Sequence, residues 1–166
     1  TILASAAGCL SAMFIAWAMY GKPDASLTAN GLLAGLVAIT APCAFVAPWA
    51  AFVIGAIAGA LMLGTVIFLD LKLHIDDPVG AVAVHGANGL WGVLAVGLFA
   101  DGSYGDGLNG VAGGVTGLFY GEGGQFAAQL TSAIVLVVYC SIMTFLFFTI
   151  SARTIGMLVG SSCPVS

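Results

Sequence analysis

His85 is the ionisable side chain that lies well inside an apolar run, in Asp76-Asp77-Pro78-Val-Gly-Ala-Val-Ala-Val-His85-Gly-Ala-Asn-Gly-Leu-Trp-Gly92. An imidazole can accept or donate a hydrogen bond, or exchange a proton, near neutral pH. Asp77 followed by Pro78 predicts a helix start. The carboxylate serves as N-cap, and proline is tolerated at the first helical position. From Pro78 to His85 an α-helix climbs about 10 Å, and half a hydrocarbon core is about 15 Å. That places the imidazole near mid-membrane. On an α-helix its same-face neighbours are Ala81, Val82, Asn88 and Gly89, with Gly92 one turn on. This small-residue track lets another helix or a small molecule come close to the ring. Ionisable groups inside a membrane usually mark pathways or relays, so function outweighs a histidine kept only for helix packing.

The elements that must position His85 are membrane spans. The 166 residues include 6% charged side chains, and the mean hydropathy is +1.15. These values exclude a soluble domain and point to an all-α polytopic membrane protein. The chain opens inside an apolar run without an initiator Met, which reads as part of a longer protein. Five spans are predicted, over residues 2–20, 28–41, 49–70, 78–100 and 125–151, within one membrane domain. Pro42 and Pro48 divide the long apolar stretch after Leu27, and Gly31/Gly35 and Gly55/Gly59 are small-xxx-small pairs that bring helices together. Residues 101–124 are glycine-rich, carry Asp101, Asp106 and Glu122, and read as a solvated extracellular loop. The G-x-G-x-x-G match at Gly105, Gly107 and Gly110 has no preceding strand, so it carries no nucleotide reading. Cys9, Cys43, Cys140 and Cys163 have no metal-ligand spacing, no basic stretch suggests nucleic acid, and no cofactor is implied.

Charge placement agrees with five spans. They put Lys22, Lys72 and Arg153 on one side of the membrane and the acidic loop on the other. By the positive-inside rule the C-terminus is cytoplasmic.

The run from Asp76-Asp77-Pro78 through His85-Gly86 to Gly92 resembles the penultimate membrane helix of the ammonium transporter (Amt/Mep/Rh) family. The likeness extends to Lys22-Pro23, to Ala34-Gly35-Leu36-Val37-Ala38-Ile39-Thr40 and to Cys43-Ala44-Phe45-Val46. Further on it takes in Leu118-Phe119-Tyr120-Gly121 and Thr154-Ile155-Gly156, so it covers residues 1 to about 156. It implies the distal part of an eleven-helix, inverted-repeat fold, a multi-pass protein of the plasma membrane, and a homotrimer when complete. The first pore histidine, the phenylalanine gate and the outer aromatic site would lie in an earlier half.

The implied function is transport of ammonium or ammonia, with no enzymatic step. His85 would be one of two pore histidines, Ala81 and Val82 pore wall, and Asp77 and Pro78 structural. A bare cation in hydrocarbon is costly, whereas ammonia is not, so an apolar pore can separate the proton from the solute and reject potassium on chemistry rather than size. The resemblance also implies a cytoplasmic regulatory protein as partner, although the family's usual acidic tail does not follow Gly156. Two alternatives stay open: a nonconducting remnant or ammonium sensor, and a haem-binding subunit with His85 as axial ligand, which would need a second mid-membrane histidine from elsewhere.

Overall fold

Helix boundaries follow from local chemistry. The computed structural model describes residues 1–104 and 113–154. Helix α1, Ile2–Tyr20, ends where Gly21 turns left-handed (φ 73°) and donates its N–H to the Trp17 carbonyl at 2.9 Å. Helix α2, Ala25–Thr40, is capped by Asp24, whose Oδ1 accepts from the Leu27 N–H at 2.8 Å. The chain then winds through Pro42 in turns, and Pro48 opens α3, Pro48–Phe68, at its first position. A π-helical turn, Leu69–Leu73, prolongs α3 and stops at His74, which is left-handed (φ 53°) with its N–H on the Leu69 carbonyl. A second π segment, Val82–Ala87, leads directly into α4, Asn88–Phe99. A 3-10 turn, Leu118–Tyr120, precedes α5, Gly123–Thr154. Among the described residues there is no strand, only an isolated bridge between Asp101 and Thr116.

Four helical stretches are long and apolar enough to cross a membrane: Ile2–Tyr20, Pro48–Leu73, Val82–Phe99 and Gly123–Thr154. Helix α2 is apolar but shorter, and its 16 residues reach about 24 Å at α-helical rise. Several boundaries differ from the sequence expectation. The third span runs on to Leu73, because the π turn absorbs Asp70 and Lys72 into the helix instead of a polar connection. The fourth begins at Val82, not Pro78, and the fifth has 32 residues. The glycine motif at 105–110, Asp106, Cys163 and the segment 155–166 lie outside the described residues.

The chain divides into two units, residues 1–130 and residues from 131 onward. In the first, α1, α2 and α3 meet through backbone rather than bulk. Gly8 faces Gly31, Gly35 and Gly55, and a Cβ added at Gly8 would lie 2.5 Å from the Gly31 carbonyl oxygen. A Cβ on Gly55 would collide with the Ala4 carbonyl, and one on Gly59 with that of Gly8. Buried Ala4, Ala12, Ala34, Ala38 and Ala58 complete this seam, with Ile39, Ile54, Met62 and Leu63 filling the space around it. Ser11 Oγ ties α1 to α3 by donating to the Ala56 carbonyl at 2.7 Å. Lipid is as apolar as leucine, so close van der Waals contact must hold such helices together. The described part of the second unit is the remainder of α5, whose apolar side chains are mostly exposed.

The seam makes a clear prediction. Gly55→Ala should lower stability by about 1–3 kcal/mol through overpacking, read as reduced membrane abundance and a lower melting temperature in detergent. Gly64→Ala, on the same helix with nothing within 4 Å of the added Cβ, should be neutral or slightly stabilising. Equal behaviour of the two variants would show that close backbone approach does not hold the unit together.

Candidate functional site

The helix bearing His85 starts late because its approach is a built turn. Gly80 is left-handed (φ 71°), and its N–H donates to the Asp77 carbonyl at 2.9 Å. This geometry leaves Pro78 outside the helix, which corrects the start expected from sequence. The Asp77 side chain reaches over the turn instead. Its Oδ2 accepts from the backbone N–H groups of Val82 (3.0 Å) and Ala83 (3.1 Å), two of the donors that a helix start leaves orphaned. Asn30 of α2 steadies the same turn, with Nδ2 donating to the Val79 carbonyl at 3.3 Å. A shallow cavity of about 240 Å³ lies beside it, lined by Val66, Asp70, Ile75, Asp76 and Asp77.

From Ala81 the rise to His85 is about 6 Å rather than about 10 Å, so the imidazole stands one turn above the helix start. Val82–Ala87 is π-helical, with i→i+5 bonding. The wider turn changes which residues share a face. His85 is exposed together with Ala81, Val82, Gly86 and Leu90. Asn88 and Gly92, which an unbroken α-helix would align with His85, are instead buried on the other side with Ala83, Val84, Ala95 and Val96. A Cβ at Gly92 would lie 2.6 Å from the Ala38 carbonyl oxygen, so α4 sits directly on the α2 backbone. Trp91 Nε1 donates to the Ile54 carbonyl at 3.2 Å and ties α4 to α3. At the far end Phe99 meets Trp49, Trp91 and Phe119 edge to face, with centroids 6.1, 6.5 and 5.1 Å away.

His85, Ala81 and Val82 therefore occupy one face, and Asp77 lies at its foot. Asn30 and Trp91 support this arrangement without a role assigned to them from sequence, and Asn88, expected beside His85, supports it from the buried side. The visible signal for Asn88 was a carboxamide within an apolar run, and for Asn30 the same in α2. Among the described residues no group of His, Cys, Asp and Glu could hold a metal ion.

The profile of the Ammonium Transporter Family matches residues 1–162. Ammonium transporter Amt2 of Archaeoglobus fulgidus is 50% identical over 160 residues, which cover 96% of this chain and 34% of that protein. An ammonium transporter of Bacillus subtilis is 37% identical over 150 residues, covering 90% and 36%. Among solved structures, Mep2 of Candida albicans superposes with a TM-score of 0.81 at 26% identity, over 92% of this chain and 33% of that one. A protein described as Sensor Amt Protein superposes with a TM-score of 0.78 at 34% identity, over 93% and 36%. The chain spans about a third of the length of these relatives.

The cap at the foot of the site can be tested directly. Asp77→Ala leaves the Val82 and Ala83 N–H groups without their carboxylate and should cost about 1–2 kcal/mol. Asp77→Asn, which keeps an acceptor, should cost less. Melting temperatures of the purified variants measure both, and an unchanged Asp77→Ala would remove the cap from the account of this helix start.

Proposed function

Because this chain belongs to the ammonium transporter family, we propose that the protein moves ammonium or ammonia across a membrane, with His85, Ala81 and Val82 on one wall of a narrow apolar pathway. The observation that carries this reading is the division of one helix into two faces. One face is packed on α2 and α3, and the other leaves an imidazole exposed among apolar and small side chains. An imidazole nitrogen there can take a hydrogen bond or a proton from the solute, while the apolar wall penalises any cation that keeps its charge. Potassium has no proton to give up and is rejected.

In the same reading the protein is a multi-pass protein of the plasma membrane, with five crossings in the described helices and the turns after α2 completing the short second one. It assembles as a homotrimer. Helix α5 spans about 48 Å at α-helical rise and must tilt or emerge from the bilayer. A second reading, ammonium sensing without flux, draws support from the 34% identity to the protein described as Sensor Amt Protein. Transport measured in liposomes separates the two.

Two predictions follow from this orientation and this wall. With Lys22, Lys72 and Arg153 inside, single cysteines placed at 22 and 72 in a cysteine-free background should resist an impermeant thiol reagent added outside, and one at Ser103 should react. Labelling at 72 from outside would overturn the orientation. For the wall, His85→Glu puts a carboxylate where a cation can pair with it, so ammonium should pass with its charge and potassium discrimination should fall. His85→Ala should reduce ammonium flux by about tenfold or more, on the scale of one lost hydrogen bond. Flux and selectivity equal to the parent in both variants, at equal membrane abundance, would make His85 a packing residue.

A further inference from the structure

We propose that Asn88 is the positioning residue that turns His85 out of the packed face of its helix and onto the exposed one. The inference rests on the pathway reading above for its functional consequence, but its geometry stands apart from it. Asn88 is fully buried. Its backbone N–H donates to the carbonyl of His85, and its side-chain Nδ2 donates to the carbonyl of Ala83 at 2.9 Å. One residue thus grips the backbone on both sides of the peptide units that carry the imidazole. It does so at the junction where the π segment Val82–Ala87 gives way to α4.

Packing alone does not account for a carboxamide there. Asn88 Oδ1 is buried and has no hydrogen-bond partner among the described residues. An unsatisfied buried acceptor is destabilising, and an apolar side chain of similar shape would avoid that cost. What the amide supplies is a donor aimed five residues back, at Ala83. That reach matches the i→i+5 spacing of the π segment, where an ordinary α-helix would bond i→i+4. The consequence for His85 is large. In an unbroken α-helix, His85 would point along the line of Asn88 and Gly92, and Gly92 is pressed against the Ala38 backbone. Removing one residue's worth of winding turns a side chain by about 100°. The π segment held by Asn88 is what separates His85, exposed with Ala81 and Val82, from the buried line of Asn88 and Gly92.

The test uses the purified full-length protein and diethyl pyrocarbonate, which modifies accessible imidazoles, with the extent at each histidine read by peptide mass spectrometry. His74, exposed at the end of the α3 extension, is the internal reference. Asn88→Leu keeps the branched shape with somewhat more bulk and removes the donor to Ala83. Its melting temperature should stay close to the parent's, and its His74 rate should not change. The His85 rate should fall by about tenfold as the ring turns towards the packed side, where reaction needs local opening. Ammonium uptake in liposomes should fall by a similar factor of about ten, the scale of one lost hydrogen bond. Should Asn88→Leu not fold, Asn88→Ser, which also removes the amide donor without adding bulk, takes the same measurement. An unchanged ratio of His85 to His74 modification in the folded variant overturns the inference. If the parent itself carries no ammonium, the transport reading fails, while the modification ratio still decides the role of Asn88.

Discussion

Everything in the first unit depends on how closely the backbones of α1, α2 and α3 approach. Gly8, Gly31, Gly35, Gly55 and Gly59 remove the side chains that would hold the helices apart, and each added Cβ would meet a backbone or alanine atom of its neighbour. In water such a seam would be a poor core, because alanine and glycine bury little apolar area. In lipid, area burial between helices gains nothing, and the depth of van der Waals contact decides association. The many buried alanines of this unit are the expected result. Serine and tryptophan donors to interhelical carbonyls, Ser11 to Ala56 and Trp91 to Ile54, add directional bonds to an otherwise smooth contact.

The seat of α4 follows from that seam. With α2 and α3 fixed against α1, α4 lies on them through Gly92, on the Ala38 backbone, and through the Trp91 bond. These contacts hold one face of α4 and leave the other open. Phe99, buried and ringed by Trp49, Trp91 and Phe119, fixes the far end. The near end is fixed by polar groups, Asp77 on the first helical amides and Asn30 on the turn before them. A helix anchored at both ends and along one side can keep an open face rigid.

How much of this was legible in the sequence depends on the kind of signal. Hydropathy marks the apolar runs, and Pro23, Pro42 and Pro48 mark the breaks between the first three helices, because proline is disruptive inside a helix and tolerated only in its first turn, where Pro48 sits. Asp24 and Asp77 are legible as caps by residue type. The start of the helix bearing His85 was not legible, because Asp77-Pro78 looks like an N-cap and first turn, whereas Gly80 inserts a left-handed turn held by tertiary contact with Asn30. The π segments were not legible either. Nothing in the composition of Val82–Ala87 distinguishes a π from an α winding, and the Asn88 amide bond to the Ala83 carbonyl that accompanies it is a tertiary-level detail. A 3.6-residue template therefore put Asn88 and Gly92 on the wrong face while placing Ala81 and Val82 on the right one.

The open face of α4 is also a statement about its surroundings. Under the membrane reading, an exposed imidazole cannot rest against hydrocarbon, because a polar group left there unpaired costs several kcal/mol. The second unit's exposed residues make the contrast. Along α5, Ile134, Val135, Val138, Phe145, Phe147 and Phe148 are exposed and suited to lipid as they stand. Along the π segment and the start of α4 the exposed set mixes Val82 and Leu90 with His85 and the backbone at Gly86. Irregular backbone at membrane depth persists only against protein or a water-lined cavity. The His85 face must therefore border one of these, and a pathway wall satisfies that requirement with the same residues that could select the solute.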